Sequence, residues 1–131
     1  MSSITHINPP ELFKSPAFSQ GTLWQQGRLL FVGGQNGTDA AGQISGDIAA
    51  QSAQALRNVR SVLAAVGAGP ADVAKLTVYL AADADLDAAY GATAEVWGNH
   101  PTAVTVLRVA GLGRPEALVE IDAFAVVPEQ G

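Results

Sequence analysis

A chain of 131 residues suits one hydrophobic core, here expected over residues 1–131, and leaves no room for two. Hydrophobic residues make up 48% of it and charged residues only 15%, so it can fold but has few charges to clothe its surface, which points to surface buried between subunits. A net charge of −5 with seven scattered Lys and Arg argues against nucleic acid as a partner, and the lack of cysteine excludes disulfides, thiolate metal sites and a cysteine nucleophile.

Met1 to His6 shows no basic-then-apolar signal pattern, and no apolar run approaches the roughly 20 residues that span a bilayer. The expectation is a cytoplasmic protein with no membrane partner. Leu23 and Trp24, then Leu29 to Val32, read as two strands joined by a tight turn at Gly27. The glycine-rich run Gly33, Gly34, Asn36, Gly37, Asp39, Gly42 reads as an irregular loop. Asp47 is placed to cap a helix in which Leu56, Val59, Leu63 and Val66 recur at helical spacing, and Gly67 stands where a C-terminal glycine belongs.

After Pro70, Lys75, Thr77 and Tyr79 alternate with Leu76, Val78 and Leu80, the pattern of a strand with one buried face. Leu86 to Trp97 returns to helical spacing and stops at Gly98, Asn99 and Pro101. Ala103–Val109 and Ala117–Val127 are rich in β-branched residues and predict two strands linked through Gly111, Gly113 and Pro115. The order ββαβαββ gives an α+β fold with both helices on one sheet face. Since the last strands are apolar on more than one side, the other face is expected to meet another subunit.

Few residues offer chemistry. His6 and His100 are the only imidazoles, and both read as loop or surface residues rather than metal ligands or partners of a serine. The Gly33–Gly42 run lacks GxGxxG and Gly-Lys-Ser, so it bends the chain or lets a ligand approach its backbone rather than holding a nucleotide. Glu120 and Asp122 lie two apart on an apolar strand and therefore share a face. They form either an exposed or intersubunit polar stripe or a carboxylate that orients water or a ligand.

Taken in order, several blocks resemble the RidA/YjgF (reactive intermediate deaminase) family: Phe18-Ser19-Gln20-Gly21, Val32-Gly33-Gly34-Gln35, and Asp47 with Gln51, Asn58 and Val59. Asp72-Val73 with Lys75, Thr77 and Tyr79, then Pro101 and Val119-Glu120-Ile121-Asp122-Ala123, complete the series across nearly the whole chain. The resemblance implies a chorismate-mutase-like fold and a homotrimer with a small-molecule cleft between subunits. It also implies hydrolysis of enamines or imines without metal or organic cofactor. In the family an arginine binds the substrate carboxylate and a glutamate near the chain end orients the water.

Carried over residue by residue, the glutamate is Glu120, while the arginine position, two after Pro101, is Ala103. The family tyrosine, serine and helix asparagine fall on Phe18, Gly33 and Gly91, and the cysteine-like position falls on Thr105. Gly34, Gln35, Thr105 and Glu120 keep the pattern. The implied site therefore has Glu120 as catalytic residue and Phe18, Gly33, Gly34, Gln35, Gly91, Ala103 and Thr105 around the ligand, in a cleft larger and more apolar than the family's. Arg28, Arg108 and Arg114 are candidates for the missing cation, although alternation turns Arg108 away from Ala103 and Thr105. Two readings stay open: a divergent imine or enamine hydrolase, and a non-catalytic module that binds a small metabolite or a protein.

Overall fold

The computed structural model describes residues 3–128, so residues 1, 2 and 129–131 of the expected domain lie outside the described part. The elements are β1 (Ile4–Ile7), β2 (Gly21–Trp24), β3 (Arg28–Gln35), α1 (Ile48–Ala65), β4 (Val73–Ala81), α2 (Leu86–Trp97), β5 (Ala103–Val109) and β6 (Val119–Val127), with a 3-10 turn at Pro70–Asp72. Four strands form a mixed sheet in the order β3-β6-β4-β5. β6 runs antiparallel to both neighbours, and β4 and β5 are parallel. A parallel pair needs a crossover, and α2 supplies it.

α1 forms where the spacing predicts it. Asp47 accepts a hydrogen bond from the Ala50 N–H at 2.9 Å, which satisfies one of the four free amides of the first turn. At the other end Gly67 adopts φ +75°, and the amides of Gly67 and Ala68 close back on the carbonyls of Ala64 and Leu63. That left-handed residue is what glycine supplies at a Schellman stop. α1 and α2 lie together on one face of the sheet, where Leu56, Val59 and Leu63 of α1 pack with Leu76, Val119 and Ile121 in the core. No helix among the described residues is long and apolar enough to cross a membrane.

The fold is the α+β arrangement expected, with three differences in detail. An additional strand, β1, precedes the expected order and pairs antiparallel with β2 in a separate two-stranded sheet. The Gly27 turn is present at φ +114°, but β2 and β3, which it joins, belong to different sheets. β1 has only four residues, too few for its alternation to stand out from the N-terminal loop. Gly33 and Gly34 are also strand rather than loop, because a register shift between Val32 and Gln35 lets β3 continue through them as an irregular edge. The irregular loop begins at Asn36.

Away from the helices the sheet is open, as the apolar character of its last strands suggests. Leu29, Phe31, Leu107 and Phe124 are exposed there, and the rings of Phe31 and Phe124 meet edge to face with centroids 5.1 Å apart.

One buried polar side chain ties the layers together. Gln51 on α1 is only 3% exposed; its Nε2 donates to the carbonyls of Gly46 and Glu116, and its Oε1 accepts from the Leu118 N–H at 2.8 Å. It thereby holds α1 against the approach to β6. Gln51→Leu would bury the Leu118 amide without its partner, and urea unfolding should show a loss of about 1–3 kcal/mol.

Candidate functional site

The site is built by strand pairing on the open face. Lys75, Thr77 and Tyr79 alternate with the core residues Leu76 and Leu80, as Glu120 and Asp122 do with Ile121 and Ala123. In register, Tyr79 stands opposite Glu120, and Thr77 lies between Asp122 on one side and Thr105 on the other. Lys75 stands opposite Ala103. One polar strip thus crosses β6, β4 and β5 on the side away from the helices.

The two carboxylates of the strip differ in kind. Asp122 is engaged: its Oδ2 accepts from the Tyr79 hydroxyl at 3.0 Å. That bond, then the Asp122 charge, partial burial and the more distant Glu120 charge, hold the Tyr79 phenol above its ordinary pKa of about 10. The Glu120 carboxylate makes no hydrogen bond or ion pair with any described residue. It lies over Gly34, where a Cβ would overlap Oε2 and come within 2.8 Å of Cδ. The register shift in β3 and the missing side chain at Gly34 are what make room for it. Beside it, Gln35 pairs with Ile121 and turns its Nε2 to the Gly33 carbonyl at 3.1 Å.

The other expected positions are spread out. Gly33, Gly34, Gln35 and Glu120 come together on β3 and β6. Ala103 and Thr105 share the face of Glu120 but sit on β5, two strands away, with Thr105 also displaced along the strand. At about 4.8 Å per strand and 3.3 Å per residue this places the Glu120 and Thr105 backbones on the order of 12 Å apart, beyond the span of a small imino acid.

Phe18 lies on the opposite side of the sheet. It lines a cavity of about 500 Å³ between α2 and strands β4 and β5, with Leu86, Tyr90, Trp97, Val104 and Val106. Gly91 is exposed on α2, and a Cβ there would meet nothing within 4 Å. Within one chain, then, Phe18 and Gly91 do not join Glu120.

Nor do the three arginines. Arg108 turns to the helix side and donates to the carbonyls of Ala82 and Ala84, Arg114 pairs with Glu116 and the Gly42 carbonyl, and Arg28 shares the parity of Leu30 and Val32. The cation on the open face is Lys75, which sequence reasoning passed over; its Nζ donates to Thr105 Oγ1 at 2.8 Å. Alternation with Thr77 and Tyr79 was the available signal, but its position beside Ala103 depends on a register that the sequence does not display.

His6 and Ser19 do form a contact, 2.8 Å between Nδ1 and Oγ. The serine proton is committed to the Pro101 carbonyl at 2.6 Å, so the imidazole donates to the hydroxyl instead of drawing its proton away. The pair pins β1 to the segment before β5. His100 is exposed.

The Tyr79–Asp122 bond can be read by titration. Because the folded state holds the phenol proton more tightly, this contribution to stability is present below about pH 10 and is lost as pH rises through the raised value. In a Tyr90→Phe background, which leaves Tyr79 as the sole phenol, Asp122→Asn should bring the alkaline ultraviolet transition back toward that of free tyrosine. An unchanged transition would remove Asp122 as the cause.

Comparison with known proteins places this geometry in a family. The model described as Endoribonuclease L-PSP matches residues 12–127. A RutC family protein of Pyrococcus horikoshii is 37% identical over 101 residues, covering 76% of this chain and 79% of that protein. A Rattus norvegicus protein named 2-iminobutanoate/2-iminopropanoate deaminase is 36% identical over 117 residues, covering 84% and 80%. The crystal structure of a Yersinia pestis protein of the conserved Rid family matches with a TM-score of 0.85 at 34% identity, over 95% of this chain and 98% of that one. With its sheet order, its two helices on one face and these matches along nearly its whole length, the chain belongs to the RidA/YjgF family.

Proposed function

We propose that the protein is a homotrimer that binds small organic acids or imines in clefts between its subunits and hydrolyses an imine or enamine there, with Glu120 orienting the water. The observation that carries this reading is the unengaged Glu120 carboxylate seated over Gly34. Asp122 already accepts from the Tyr79 hydroxyl at Oδ2, whereas neither oxygen of the Glu120 carboxylate is engaged.

The chemistry needs little else. The carbon of a protonated imine is already electrophilic; Glu120 accepts a proton as the water oxygen bonds to that carbon and the C=N electron pair moves to nitrogen, giving a neutral carbinolamine. Return of that proton to nitrogen makes ammonia the leaving group, and as the C–N bond breaks the hydroxyl proton passes to the Glu120 carboxylate, leaving a ketone. An enamine first takes a proton at its β-carbon to become the imine. No metal or organic cofactor enters this scheme. The rat relative's name is in keeping with this reaction class.

Assembly is proposed on physical grounds. Leu29, Phe31, Leu107 and Phe124 leave an apolar patch on the open face, and Glu120 and Thr105 are too far apart in one chain to hold one small ligand. A second copy that covers the face would bring its own polar strip to the first. An RNA-cleaving role fits poorly, since a chain with a net charge of −5 repels phosphates. Ala103 at the arginine position favours the second reading, a binding module without turnover.

Light scattering at micromolar concentration should give three times the chain mass; a monomer would sink the intersubunit cleft. Imines generated in situ from L-leucine or L-phenylalanine by an amino-acid oxidase supply the assay. Glu120→Gln should lower ammonia release by roughly a hundredfold while the trimer persists. Unaltered protein that binds the corresponding 2-oxo acids but never accelerates ammonia release would establish the binding module instead.

A further inference from the structure

We propose that Lys75, held by Thr105, is the anion-binding residue of this chain and recognises the carboxylate of a 2-oxo or 2-imino monocarboxylic acid; this rests on the reading of the open face as the ligand side.

Elimination among the cations supports it. The chain has seven Lys and Arg. Arg57 and Arg60 lie on α1, bonded to Gln54 and to the Val96 carbonyl, and Lys14 lies in the loop between β1 and β2. Arg28, Arg108 and Arg114 are turned away or engaged, as described above. Lys75 alone stands in the polar strip, and the one ion pair among the described residues, Arg114–Glu116, does not involve it.

Its setting suits an anion. The Lys75 ammonium gives one proton to Thr105 Oγ1 and keeps two, while the Thr105 hydroxyl, having accepted, still has its own proton to donate. Together they offer a carboxylate donors from two side chains, a charged one and a neutral one. Ala103, directly beside Lys75 in register, contributes only a methyl group, so the space a longer residue would occupy is left to the ligand. The strip is also polarised: Glu120 lies at its Tyr79 end and Asp122, level with Thr77, is bonded to Tyr79, so both carboxylates stand away from the Lys75 end and leave it as the seat for an anion.

A lysine contact differs from an arginine contact in what it selects. The ammonium is a compact point charge with no planar fork, so it attracts a carboxylate without fixing its plane, and shape discrimination falls to the rest of the ligand.

The test uses the full-length protein and 4-methyl-2-oxopentanoate, with its uncharged methyl ester as control, titrated calorimetrically. The acid should bind the unaltered protein at least about tenfold more tightly than the ester. Lys75→Met should reduce acid affinity by about tenfold or more and leave the ester unaffected; Lys75→Arg should keep most of the acid affinity, and Thr105→Val should lose part of it. Equal affinity for acid and ester, full acid affinity in Lys75→Met, or no acid binding at millimolar concentration would each overturn the proposal. Should Lys75→Met fail to fold, the acid-to-ester ratio of the unaltered protein and the loss in Thr105→Val decide it. Because binding of the 2-oxo acid is measured directly, the result does not depend on turnover. A failure of the hydrolase reading would therefore leave Lys75-dependent binding intact, and a failure at Lys75 would leave the effect of Glu120 on turnover to be judged separately.

Discussion

The pleat of β6 is the constraint on which the rest depends. This strand is hydrogen-bonded on both sides, to β3 and to β4, and its alternate residues Val119, Ile121, Ala123 and Ala125 are almost wholly buried beneath the helices. Moving the register by one residue would drive Glu120 and Asp122 into that core and turn four apolar residues outward, at a cost of many kcal/mol. The hydrophobic face of β6 therefore locks the position of its polar face. Glu120 is held where it is by the burial of its neighbours, without a side-chain hydrogen bond of its own.

That division of labour suits a catalytic carboxylate. A side chain positioned by hydrogen bonds has spent the lone pairs that chemistry would use, whereas one positioned by the backbone keeps them. Asp122 illustrates the first condition and Glu120 the second, two residues apart on one strand. Gly34 completes the arrangement from the neighbouring strand: with no Cβ, it lets the carboxylate rest against β3, and the register shift there keeps that edge from closing over it.

How much of this could be read from the sequence follows from how local each cause is. The span of α1 depends on Asp47, on apolar residues three and four apart, and on Gly67, all within twenty residues, and it is legible. The shared face of Glu120 and Asp122 is legible for the same reason, since period two needs only their spacing. The pairing of β1 with β2 across a loop of thirteen residues is not local, and neither is the irregular stretch of β3 through Gly33 and Gly34, which alone looks like a glycine-rich loop. The same limit hid Lys75. Its face could be inferred from its neighbours, but its place beside Ala103 comes from a parallel pairing set by the crossover through α2, a contact between residues 28 positions apart.

The separation of the two ends of the polar strip bears on why such a site would be shared. Glu120 on β6 and Lys75 with Thr105 on β4 and β5 are held apart by the rigid spacing of strands, the Glu120 and Thr105 backbones standing on the order of 12 Å apart across the sheet. On the reading proposed above, a single subunit would present the base or the anion seat to a small ligand, but not both. If the open faces of neighbouring copies meet, the base of one can oppose the seat of the next, and the same apolar residues that drive the meeting would expel water from the cleft. Assembly and chemistry would then respond together to changes at Phe31 or Phe124, the exposed aromatic pair of the open face.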